Sequence, residues 1–185
     1  MKNKTKFYIY IIFSFMGIII HEFSHQLFCQ LSGVRVYKVK YFQMKNPPGY
    51  VEHAQPRNFI QAFFISMGPF FFGTIISLLL FLFTAHEIVS ILAEPKILNI
   101  QYLILSIFSF WFGLAIAIHC FPSTGDAKVL LSETNYHVFK RFNPLAALLY
   151  PFVFIIKTAN YLRKYYFDWA YAVFLLIIAF WLVRT

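Results

Sequence analysis

Charge is scarce in this 185-residue sequence. Lys and Arg contribute 16 residues and Asp and Glu only 7, together 12% of the chain, against about 25% in an ordinary soluble domain. With 60% hydrophobic residues, an ordinary water-soluble globule is excluded, because too little polar surface exists to cover the apolar bulk. Cysteine is nearly absent: Cys29 and Cys120 do not make a disulfide framework. Acidic residues are the rarer sign, and the net charge is +9. The basic residues are scattered through short connections, a pattern suited to anionic lipid headgroups. No nucleic-acid-binding motif accompanies them, so no nucleic-acid partner is expected. A small-residue cleavage site is also missing after the first apolar run. Although Lys2, Lys4 and Lys6 precede that run, it reads as a retained span rather than a secretory signal. No internal repeat, linker or soluble domain is evident, so a single membrane-embedded domain over residues 1–185 is expected.

What the chain does have is aromatic and aliphatic bulk, 25 Phe among it. Residues 7–31 form a first span, long enough for a bilayer core of about 30 Å. Residues 59–83, 98–121, 143–162 and 167–183 form four more. Gly68-Pro69 falls inside the second, where it predicts a kink or local opening that frees backbone groups. Between the first two spans, residues 34–41 alternate apolar and polar with period two, as a strand does. Lys45-Asn46-Pro47-Pro48-Gly49 reads as a turn, and Tyr50-Val51-Glu52-His53 as a returning strand. The expected fold is an all-α polytopic membrane protein of about five transmembrane helices, with a small membrane-associated β-hairpin between the first two.

Inside the first span stands His21-Glu22-Phe23-Ser24-His25. On a helix, positions i and i+4 share a face, so His21 and His25 can point at one metal ion, with Glu22 beside them to accept a proton from a water that the metal activates. Holding such groups in an apolar span costs about 2.5–3.5 kcal/mol for each charged side chain at a helix centre, which argues for use. The motif lies some way along the span, roughly 21 Å from its start at about 1.5 Å per residue. The first and third spans run in the same direction, so the end of the first that carries the histidines shares a side with the end of the third. Asp126 follows that end and is placed to be a third ligand, as catalytic zinc sites require. A capping role for Asp126, on a helix beginning at Ala127, is compatible with this. His86-Glu87-Ile88-Val89-Ser90, expected in the loop after the second span, copies half the motif without its second histidine. Cys29 lies on the stripe of His25 and reads as packing rather than as a ligand. Residues 131–142 read as a loop or interfacial helix, and the last two spans as carrying little chemistry.

Sidedness follows from the same alternation. The side of the His21–His25 end collects Arg35, Lys38, Lys40, Lys45, Arg57, Lys128, Lys140, Arg141 and Arg184. The other collects Lys2, Lys4, Lys6, Lys96, Lys157, Arg163 and Lys164. By the positive-inside rule, the small excess of nine over seven leans toward the first group being cytosolic.

Over roughly its first 130 residues the chain resembles the site-2 proteases, intramembrane zinc metalloproteases. The resemblance rests on His21-Glu22-Phe23-Ser24-His25 in a first core helix and on a hairpin region ending in Pro48-Gly49-Tyr50-Val51. A Gly68-Pro69 break in the following helix and a Pro-containing loop delivering Asp126 complete it. It implies one zinc ion held by His21, His25 and Asp126, with Glu22 as catalytic base. Tyr50, Val51, Gly68 and Pro69 would hold the substrate segment extended. The chain departs from the family where Phe72 stands in place of an expected Asn, where Ala127 rather than Gly follows the Asp, and where His119 stands near the place of another Asn. His119 is thereby a candidate transition-state stabiliser. The resemblance implies a divergent, minimal member, with a metalloprotease-like core over about 7–130 and a C-terminal helix pair over about 143–183. It would sit in a prokaryotic plasma membrane with its site nearer the cytosolic face and act on a membrane protein or peptide. A non-hydrolytic membrane protein that binds metal structurally or transports it is the other reading.

Overall fold

The chain is 78% helical, as expected where only helices and closed barrels satisfy their own backbone in lipid. The computed structural model describes residues 2–93 and 99–184. Lys96 and residue 98, the expected start of the third span, lie outside the described residues. The elements are α1 (Lys2–Leu31), β1 (Val36–Lys40), β2 (Tyr50–His53), α2 (Phe59–Ala93), α3 (Ile100–Ala117), α4 (Thr124–Phe139), α5 (Pro144–Leu162) and α6 (Phe167–Arg184), with a 3-10 turn at Arg163–Tyr165. Among the described residues, 5 helices are long and apolar enough to cross a membrane: α1, α2, α3, α5 and α6. The chain is a polytopic helical membrane protein with a two-stranded antiparallel hairpin between its first two helices.

Boundaries follow local chemistry. Gly33, at φ +67, takes the left-handed position that ends α1. Ser123 caps α4 by accepting from the Asp126 N–H, while the Asp126 carboxylate accepts from the Ser123 N–H, a reciprocal capping box. The cap is therefore Ser123, with Asp126 three residues inside, rather than Asp126 itself. Asn143 caps α5, whose first residue is Pro144. Helix α2 runs ten residues further than expected, so His86-Glu87-Ile88-Val89-Ser90 belongs to its last turns and not to a loop.

Helix α2 is the central element, packed against α1, α3, α4 and α6. Its second half meets α3 and α6 around Phe81, Ala85, Ala117, Ala172, Leu175 and Ala179. Gly113 receives the Phe81 ring, and the Ser77 hydroxyl donates to the Gly113 carbonyl at 2.8 Å, the small-residue and polar contacts that bring helices together in lipid. Its first half packs on α4 and α5 through Phe59, Phe63, Met67, Leu130, Val153 and Ile156.

The α4–α5 pair doubles back. Phe139 at the end of α4 meets Tyr150 early in α5, and Asn160 in the last turn of α5 donates to the Pro122 carbonyl at 2.8 Å. Arg163 also reaches that carbonyl, at 3.3 Å. Arg163, assigned by alternation to the face opposite the histidines, thus returns to their end. From there α6 starts beside Phe121 (ring centroids 5.2 Å from Phe167) and runs up the second half of α2, carrying Arg184 away. Alternation failed because α4 is itself helical and lets α5 fold back on it.

Candidate metal centre

The site lies where α1, the middle of α2 and the α3–α4 connection meet. His21 and His25 stand one turn apart on α1 with ring centroids 4.9 Å apart. Their Nε2 atoms are 3.2 Å from each other, and Asp126 Oδ2 lies 3.3 Å from His25 Nε2 and 3.7 Å from His21 Nε2. One ligand atom from each of the three falls within 4.8 Å of the others.

The opposite nitrogens of the two rings fix what these atoms are. His21 Nδ1 is 2.7 Å from the His119 carbonyl and His25 Nδ1 is 2.8 Å from the Ile65 carbonyl. A carbonyl only accepts, so each Nδ1 carries a proton and donates it, and in the neutral form of each ring the lone pair is then on Nε2. Two lone pairs and a carboxylate converging at this distance repel unless a proton or a cation lies among them. Two ligands about 2.0–2.1 Å from a tetrahedral zinc stand about 3.3 Å apart, which the observed separations match. Backbone carbonyls orienting ligand histidines through the far nitrogen are the usual outer shell of such sites.

Both carbonyls are available for a reason. Position 69 is proline, inside α2, so the N–H that would close the helical bond to Ile65 four residues earlier does not exist. The His119 carbonyl lies just past the end of α3, where helices leave their last carbonyls unpaired.

Burial works on Asp126 in one direction and its neighbours in the other. Burial alone would push its carboxyl up, but the His25 and His21 imidazoles, when protonated in the metal-free chain, outweigh that and hold it well below the usual 3.8.

A cavity of about 450 Å³ opens on the cluster. His21, Glu22, His25 and Asp126 line it, with Pro47 to Val51 of the hairpin on one wall and Ser123 and Arg163 on another. The hairpin turn is seated on Glu22: a Cβ on Gly49 would stand 2.6 Å from Glu22 Cγ. Glu22 makes no hydrogen bond among the described residues, which leaves its carboxyl free toward the cavity.

Of the other residues singled out by sequence, Tyr50 and Val51 line this cavity. Gly68 and Pro69 do not; both are buried in α2, with Gly68 against the Phe28 ring. His119 lines the cavity, but its Nδ1 donates to the Ala115 carbonyl at 3.0 Å and its Nε2 faces the Tyr10 hydroxyl at 3.4 Å. Its contact with the cluster is its carbonyl. Cys29 packs with Val34 and Ile65 and is not part of the group. Sequence reading missed Arg163, whose Nε donates to Asp168 at 2.8 Å, and Ile65, whose signal was the proline four positions on. No family model, curated protein or solved structure matches this chain.

Proposed function

We propose that this protein is an intramembrane zinc endopeptidase of the site-2 protease kind. It would cleave a membrane-spanning or membrane-associated segment of another protein. The reading is carried by one observation: two histidines, each tied by Nδ1 to a backbone carbonyl, with their Nε2 atoms converging on a carboxylate beside an unbonded glutamate in a cavity.

His21, His25 and Asp126 would hold one zinc ion. When bound, zinc supplies Lewis acidity, lowering the pKa of water to about 7 and polarising a carbonyl. Glu22 accepts a proton from the attacking water as the new C–O bond forms, and delivers it to the amine as the C–N bond breaks. The cavity wall from Pro47 to Val51 receives the substrate backbone, whose amides, freed by unwinding, pair with the hairpin. Arg163 and Lys164 lie at the site's end of the molecule, with the basic residues of the hairpin and of α4. That excess supports a cytosolic-facing site, in keeping with the prokaryotic plasma membrane that the resemblance implies.

The experiment uses purified protein with a panel of membrane-segment peptides in detergent or vesicles. Glu22→Gln is expected to retain stoichiometric zinc and to lose cleavage. Zinc retained with cleavage intact would overturn the mechanism. Zinc bound by the wild type, with no cleavage of any segment, would favour the structural or transport role, for which a carboxylate beside the ligands has no use.

A further inference from the structure

Proline inside a transmembrane helix is commonly a kink, yet α2 continues through Pro69 to Ala93. What Pro69 removes is a donor. In an unbroken helix the N–H of residue 69 would occupy the carbonyl of residue 65. That carbonyl instead accepts the His25 Nδ1 proton at 2.8 Å, from a residue that is itself 7% exposed. A buried imidazole with no acceptor for its N–H would leave a polar group unsatisfied, and it would be free to carry its proton on Nε2, the atom that faces His21 and Asp126.

We propose that Pro69 is the positioning residue of the metal centre. By withholding an N–H it keeps the Ile65 carbonyl for His25, locks the proton of that ring on Nδ1, and so holds the Nε2 lone pair ready for a metal ion. This gives Pro69 a part in positioning a ligand, and it deepens the reading of the site as a zinc centre, on which it rests. An alanine at 69 restores the donor, which then competes with His25 for the Ile65 carbonyl. Loss of such outer-shell partners typically costs about 10–100-fold in metal affinity.

The test compares wild type, Pro69→Ala, and a chain in which residue 69 is lactic acid, the α-hydroxy analogue of alanine. The last has neither ring nor N–H. Zinc affinity is read by chelator competition, and the position of the His25 proton by nitrogen-15 correlation spectra of the metal-free protein. Expected for Pro69→Ala is a 10–100-fold weaker zinc affinity and a His25 proton no longer confined to Nδ1. The lactic acid chain is expected to match wild type in both. An unaltered His25 proton and unaltered affinity in Pro69→Ala would overturn the inference, as would a lactic acid chain as weak as Pro69→Ala, since the ring would then be what matters. Should Pro69→Ala fail to fold, the lactic acid chain decides alone. Wild type that binds no zinc would overturn the zinc reading, while the proton position would still decide the role of Pro69.

Discussion

Gly17 of α1 lies so close to Ala115 of α3 that a Cβ on residue 17 would stand 1.9 Å from the Ala115 carbonyl oxygen and 2.8 Å from His119 Nδ1. The contact is one turn before His21, and it holds the two helices near enough for His21 to reach the His119 carbonyl. Gly17→Ala must force the helices apart, and a 2.7 Å hydrogen bond does not survive a shift of that kind. The variant is expected to lose about 10-fold or more in zinc affinity, measured by chelator competition. Affinity equal to wild type would show that the His119 carbonyl does not orient His21.

Gly49 plays the matching part for the glutamate. A Cβ there would meet the Glu22 side chain at 2.6 Å and the Tyr41 carbonyl at 3.0 Å. Gly49→Ala is expected to displace Glu22 and to cut cleavage at least 10-fold while zinc content stays stoichiometric. A parallel loss of zinc would place the effect in the fold instead.

The capping box separates two roles of Asp126. Ser123→Ala removes the side-chain acceptor at the start of α4 and is expected to lower stability by about 1 kcal/mol, with zinc retained. Asp126→Ala removes the cap partner and the ligand together, so zinc should fall below detection in elemental assay. Zinc lost equally in both variants would mean that the turn, and not the carboxylate, holds the ion.

Acid titration of the metal-free protein gives a signed expectation. The Asp126 carboxyl lies below its ordinary 3.8 in the folded chain. Its stabilising contribution is therefore complete above 3.8 and fades as pH falls from there through the folded value. Thermal unfolding in chelator should show a loss below pH 3.8 that Asp126→Asn lacks. Identical profiles for the two proteins would remove the stabilising pairing of Asp126 with His21 and His25.

The fold was largely legible because lipid enforces simple rules: apolar length marked the helices, and Tyr50–His53 was a strand by composition. That His21, His25 and Asp126 come together was legible too, the histidines from their spacing and Asp126 from the direction of the helices. What stayed hidden depended on contacts between distant segments. Arg163 was counted on the side opposite the histidines because nothing in the sequence says that α5 folds back along α4. The surroundings of Pro69 were hidden too: the carbonyl four residues before it meets the His25 ring, 40 positions distant.

The separation of His21 from its acceptor, 98 positions, sets an order of events in biosynthesis. At roughly 5–20 residues per second, α1 has left the ribosome about 5–20 s before the His119 carbonyl exists to receive its proton. For that interval the nascent helix carries an imidazole without its final partner, and the second ring waits for Ile65 as well. The site cannot close helix by helix. The cluster is complete only when the arrival of residues 119–126 gives α1 its acceptor and its carboxylate together.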